Sequence, residues 1–231
     1  KKQMPAIITN KFRIHNSEQF SESFYEASGN TYYLGIGRPT PFNTATRADG
    51  RTDNQGTDVI PLTPSDNNNI ESLTYDDLLA VKKITNTDVA FVAPRRNWTT
   101  GTTYDIYRHD YGERITGTTN QQSANSGVFN LYDASFYVLN SARNVYKCLD
   151  NNNNAISTVE PTGTNTSIIL STADGYRWKY MYTLSASEQS NFLSTDFMAV
   201  STNSSVSGNA VDGSIDIVSI KTPGSGGADG T

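Results

Sequence analysis

The residues of this chain that could do chemistry are few and far apart. His15 and His109 are its only histidines and Cys148 its only cysteine, so a zinc site would have to gather them with distant carboxylates, and no metal-ligand spacing is present. A hydrolytic reading needs Asp105 and Asp110 to converge beside His109 in one cleft. No Gly-x-Ser-x-Gly elbow, Walker-type loop or dinucleotide fingerprint occurs. Gly35-Ile36-Gly37 runs into Arg38-Pro39 and opens no helix, so it has no helical N–H groups to offer a phosphate. The run from Asp150 to Asn154 begins like a calcium loop. Ala155, however, stands where a glycine must turn the chain, and Pro161 where a bidentate glutamate is required, so it reads as a turn. Cys148 lies inside a strand pattern with no histidine beside it and reads as a small buried hydrophobe. The expectation is a protein without enzymatic activity, metal or cofactor.

One constellation remains. Val92-Ala93-Pro94-Arg95-Arg96-Asn97-Trp98 places two fixed positive charges and an indole directly after an apolar run, where side chains fan out at a sheet edge. Arginine and tryptophan are enriched among interface anchors, because a guanidinium forks a carboxylate and an indole buries a large area with little entropy loss. The alternative is intramolecular: Arg95 or Arg96 bonds loop carbonyls and Trp98 caps the core. Adjacent residues of an extended chain point opposite ways, so one arginine is expected to tie down its own loops and the other to reach a neighbouring chain.

These residues need elements to position them, and the clearest is the stretch from Asp174 to Leu184. Strict alternation puts Tyr176, Trp178, Tyr180 and Tyr182 on one face of a strand and Arg177, Lys179 and Thr183 on the other, after an Asp-Gly turn. The four aromatics are assigned to the core, together with Phe91 in a short buried strand over 88–93. Further strands are expected at Thr31–Gly37, Ser135–Leu139, Asn144–Leu149 and Ser167–Ser171, and after a tight turn at Val211–Ser214 a last one at Ile215–Ile220. Residues 5–14 read as a strand or an extended arm. Helices are expected from Ser17 to a stop at Gly29, over Leu73–Ile84 with Thr74 as cap, and over Ser187–Leu193. Residues 43–69 form a long polar loop.

The whole reads as a mainly β chain with long loops and a few short helices over residues 1–195, followed by a 196–231 extension of a β-hairpin and a Gly-rich tail. That tail stops without closure, so the polypeptide is expected to continue past Thr231 or to dock there on a neighbour. The formal charge of −5 with scattered lysines and arginines argues against nucleic acid. No apolar run approaches the ~20 residues of a membrane helix, and the first residues lack a secretory core, so membranes are not expected and the chain reads as cytoplasmic in origin. The single cysteine rules out an intrachain disulfide. Glycosylation sequons at Asn97, Asn165 and Asn203 are read as chance matches in an Asn/Ser/Thr-rich sequence.

Four segments, Ala6–Arg13, Val92–Trp98, Val145–Asp150 and Asp174–Tyr182, stand in the order and approximate spacing seen in the baseplate wedge protein encoded by gene eight of T-even-like contractile-tailed phages, and Gly37-Arg38-Pro39-Thr40-Pro41-Phe42 resembles a fifth. The likeness spans residues 6 to about 184, with the polar insert at 43–69 a departure and nothing alignable after about 195. It implies a β-sandwich homodimer without enzymatic activity, placed in the virion at the tail baseplate. Its neighbours would be other wedge proteins and peripheral tail-fibre-associated subunits, and assembly would take place in the bacterial cytoplasm. Arg38, Phe42, Arg95, Arg96 and Trp98 are then interface candidates. The competing expectation is a carbohydrate- or receptor-binding tail module whose Tyr/Asn/Trp-rich loops stack on sugars.

Overall fold

Alternating patterns dominate the chain, and the computed structural model is accordingly mainly β with a few short helices. It describes residues 10–26, 30–37, 78–116, 119–218 and 225. Two compact units form, Lys1–Ala90 and Phe91–Thr231. The division thus falls well before the boundary expected near 195. Met198 and Ala199, beyond that boundary, are core residues of the second unit.

In the first unit, helix α1 (Asn10–Glu22) begins well before Ser17, so residues 10–14 are helical and not a strand or arm. Ser17 bonds back to the Arg13 carbonyl at 2.9 Å, a mid-helix use of its hydroxyl in place of the expected cap. Phe20, Phe24 and Tyr32 form an aromatic cluster with centroids 4.7–5.4 Å apart. Strand β1 (Tyr32–Gly37) matches expectation and pairs antiparallel with β2 (Leu78–Ile84). The helix expected over Leu73–Ile84 is therefore a strand across its described residues. A short isolated helix is marginal, whereas a ready partner with a full antiparallel register satisfies the same backbone groups and suits the β-branched Val81 and Ile84. Thr74, the 43–69 loop, Gly29, Arg38 and Phe42 lie outside the described residues.

The second unit is built on a four-stranded antiparallel sheet of β6 (Tyr137–Leu139), β7 (Asn144–Asp150), β9 (Arg177–Thr183) and β8 (Leu170–Ser171), in that order. Before it in sequence come β3 (Val92–Pro94) and a small pair, β4 (Arg114–Thr116) with β5 (Thr119–Asn120). After it come α2 (Ala186–Phe192), β10 (Phe197–Ala199) and α3 (Ser204–Gly208). Strand β10 returns to pair with β3.

The alternation along β9 holds: Tyr176 just before it, then Trp178, Tyr180 and Tyr182, are all buried, and Arg177 and Thr183 are exposed. Trp178 faces Cys148 across β7, stacks on Tyr176 at 5.4 Å and meets the edge of Tyr104 at 5.6 Å. Tyr104, Val138, Tyr146, Cys148, Tyr176, Trp178 and Tyr180 make one core cluster; Leu139, Val145, Tyr182, Leu184, Met198 and Ala199 make a second. Among the described residues, β10 contributes Met198 and Ala199 to the second cluster, and Trp98, Phe192 of α2 and Val206 of α3 are among the side chains packed against the two.

Three expectations are corrected in this unit. Phe91 is not core: it is 49% exposed, because β3 is only three residues long, pairs with β10 and leaves Phe91 just outside the strand. The strand expected at Ser167–Ser171 shrinks to two residues. Val211–Ser214 is a turn, closed by Ser214 N–H donating to the Val211 carbonyl at 3.1 Å, but residues 215–218 after it are not a strand.

Candidate functional site

Hairpin β8–β9 turns through Thr172-Ala173-Asp174-Gly175, with Gly175 N–H donating to the Thr172 carbonyl at 2.9 Å and Thr172 N–H to the Tyr176 carbonyl at 3.0 Å. Gly175 sits at φ 83°, and a Cβ there would come within 2.6 Å of the Asn152 side chain, so both its conformation and its neighbour require glycine. Asn152, Asn153 and Asn154 are all left-handed, the conformation asparagine tolerates best after glycine. Asn152 Nδ2 donates to the Asp174 carbonyl at 3.1 Å, interlocking the two turns.

The Asp174 carboxylate then gathers a third segment. It accepts from Thr172 Oγ1 (2.5 Å), Thr158 N (2.8 Å), Val159 N (3.0 Å), Ser157 Oγ (3.1 Å) and Tyr176 N (3.3 Å). Burial works against the charge, but these donors outweigh it and hold the carboxyl below the usual range. Ser157, fully buried, also accepts from Trp98 Nε1 at 3.0 Å. A hydrogen-bonded chain therefore runs Trp98–Ser157–Asp174, joining the Arg-Arg-Asn-Trp motif to the β9 turn. Ser157 is engaged as donor and acceptor, and the Asp174 carboxylate that takes its proton is already held by four other donors, so the chain is a clamp.

The Arg-Arg-Asn-Trp segment lies along the edge of β6, as the sheet-edge expectation required: Leu139 N–H donates to the Arg96 carbonyl at 2.7 Å and Trp98 N–H to the Leu139 carbonyl at 2.9 Å. Within the chain both arginines bond their own loops, where only one was expected to do so. Arg95 donates through Nε to Asn97 Oδ1 and through Nη1 to the Ser194 carbonyl at 2.8 Å. Arg96 Nη2 donates to the carbonyls of Tyr132 and Asp133, each at 3.1 Å, with its guanidinium 5.6 Å from the Tyr137 ring centre. A strand edge close to two returning loops supplies carbonyls in both directions, so each arginine finds an acceptor within its own chain. Trp98 packs partly buried against the first core cluster.

A second carboxylate clamp has no distinct signature in the sequence. Asp105 is fully buried and accepts from Ser123 Oγ (2.5 Å), Ser126 Oγ (2.8 Å), Ser135 N (2.8 Å), Ser135 Oγ (3.2 Å) and Asn125 Nδ2 (3.2 Å). Burial raises its pKa, yet the hydrogen bonds prevail and the net direction is downward. The only signal is an aspartate set among serines and asparagines with no apolar periodicity, which does not say which loop it will organise.

His109, Asp105 and Asp110 do not assemble an acid–base site. His109 is exposed, Asp105 is engaged inside the clamp, and Asp110 is forked by Arg108 at 2.8 and 2.9 Å. The neighbouring cleft, about 70 Å³ and lined by Arg108, Tyr111, Gln121, Asn125, Asn151 and Asn154 among others, includes none of the three. It is far smaller than the roughly 300–1,000 Å³ of small-molecule sites. Cys148 is fully buried, and burial drives its thiol pKa upward, so it is no nucleophile. Comparison with protein-family models finds none that matches the chain, and comparison with curated proteins likewise finds no match.

Proposed function

We propose that this chain is a structural subunit of a phage tail baseplate wedge, acting in assembly by bridging neighbouring wedge proteins as a homodimer. The reading rests on the five ordered segments of the sequence, and one observation carries it further. Three of those segments fold into a single hydrogen-bonded body: Val145–Asp150 forms β7, Asp174–Tyr182 forms its partner turn and strand, and Val92–Trp98 lines the β6 edge and reaches Asp174 through Ser157. Segments that resemble a scaffold protein are here engaged in scaffold contacts. A dimer offers one surface twice and so can join non-equivalent neighbours.

The carbohydrate-binding alternative draws less support, since Tyr104 of the loops is buried together with Tyr146 and the β9 aromatics and offers no face to a sugar. The test is mass spectrometry of purified tails from the phage that encodes the chain, with antibody labelling under the electron microscope. This reading expects the chain in stoichiometric amount with label at the baseplate. Its absence from intact tails, or label on the fibre tips, sinks it.

A further inference from the structure

The two described Asp-Gly pairs differ in a way that has a chemical consequence. Asp174-Gly175 is held by the five donors on its carboxylate and by Asn152 packed against Gly175. Asp212-Gly213 is exposed; among the described residues no hydrogen bond engages the Asp212 carboxylate, and a Cβ on Gly213 (φ 76°) would meet nothing within 4 Å. One backbone bond, Ser214 N–H to the Val211 carbonyl, closes that turn, and no strand follows it over 215–218.

An aspartate followed by glycine can cyclise, because glycine's lack of a side chain leaves its nitrogen open to approach the aspartate side chain. We infer that Asp212 is a site of spontaneous backbone isomerisation in the folded protein, and that the clamp on Asp174 protects the other pair from the same reaction. The Gly213 nitrogen attacks Cγ of the protonated Asp212 carboxyl, a C–N bond forms, the C–OH bond breaks, and the amide proton and hydroxyl leave as water. Water then adds back to the cyclic imide. Opening at the side-chain carbonyl restores aspartate, and opening at the former backbone carbonyl gives an isoaspartyl linkage, with no net change in atoms. At Asp174 the same attack requires the carboxylate to abandon Ser157, Thr158, Val159, Thr172 and Tyr176. That is a local opening of the hairpin, which is populated far less than the open turn at 212.

The test incubates the purified full chain at mildly acidic pH and physiological temperature, then maps isoaspartate by electron-transfer mass spectrometry and by methyl transfer from an isoaspartyl methyltransferase. Isoaspartate should accumulate at residue 212 at least about tenfold faster than at 174 in the folded protein. In urea the two rates should converge, and Asp212→Glu, which cannot form the small imide readily, should remove the folded-state signal from the 212 peptide. Equal rates at 212 and 174 in the folded protein, no isoaspartate at 212, or persistent protection of 174 after unfolding would each overturn the inference.

Discussion

Strand β9 and the β1–β2 ribbon are both rich in apolar residues, yet they end in opposite environments. Tyr176, Trp178, Tyr180 and Tyr182 are at most 9% exposed, whereas Tyr33, Leu34, Ile36, Leu79 and Val81 in the ribbon are each more than half exposed. The difference is not in the residues' hydrophobicity. β9 lies between two hydrogen-bonded neighbours and under Tyr104, Trp98 and Leu170, while β1 and β2 have only each other as strand partners among the described residues. A two-stranded ribbon cannot cover both of its own faces. Apolar pattern decides which side chains share a face; the number of layers decides whether that face is dry.

The largest break in this contrast is expected from Trp178→Ala. Removing a fully buried indole should cost ~3–5 kcal/mol, read as a lowered denaturation midpoint or lost soluble expression. A variant that folds within ~1 kcal/mol of wild type would mean that the cluster collapses around the gap and that the aromatic face is not the source of stability.

Asp174→Ala comes next. It strips the acceptor from five donors, of which Ser157 is fully buried, and should cost ~2–4 kcal/mol in urea unfolding. Its pH signature is specific. The folded-state pKa is depressed, so the contribution is complete above the unfolded carboxylate value near 4 and fades as pH falls through the lower folded value. Wild type should therefore lose more stability than Asp174→Ala on acidification through that window; parallel pH profiles would show that the clamp contributes no charge-dependent stability. Asp105, depressed in the same direction, remains in both proteins and cancels in the comparison.

The arginines sharpen the edge of the contrast. Arg96→Ala loses two carbonyl contacts and a ring contact and should cost ~1–3 kcal/mol, more than Arg95→Ala at about 1 kcal/mol, since Arg95 bonds one adjacent side chain and one carbonyl. Thermal unfolding ranks them, and the reverse order would place the structural weight on Ser194 and not on the 132–133 loop. The smallest effect belongs to the ribbon: Leu34→Ser or Val81→Thr should stay within about 0.5 kcal/mol, because exposed side chains have little to lose. A large loss there would mean that the ribbon's exposed face contributes stability that exposure conceals.

Features that depend on a few neighbouring residues are legible in the sequence by itself. Period-two alternation makes β9 one-sided, the Asp-Gly and Asn-rich runs mark turns at 174–175 and 150–154, and Cys148 reads as buried. In these cases steric preference and side-chain direction act within a short window. Only the tertiary structure decides that Leu78–Ile84 pairs as a strand, that Phe91 stands half in water, that both arginines bond carbonyls of distant loops, and that Asp174 draws in residues 157–159. Each of these depends on a partner brought from elsewhere in the chain. The free energy of pairing or burying a group is set by what closes over it, and a local pattern carries no record of that.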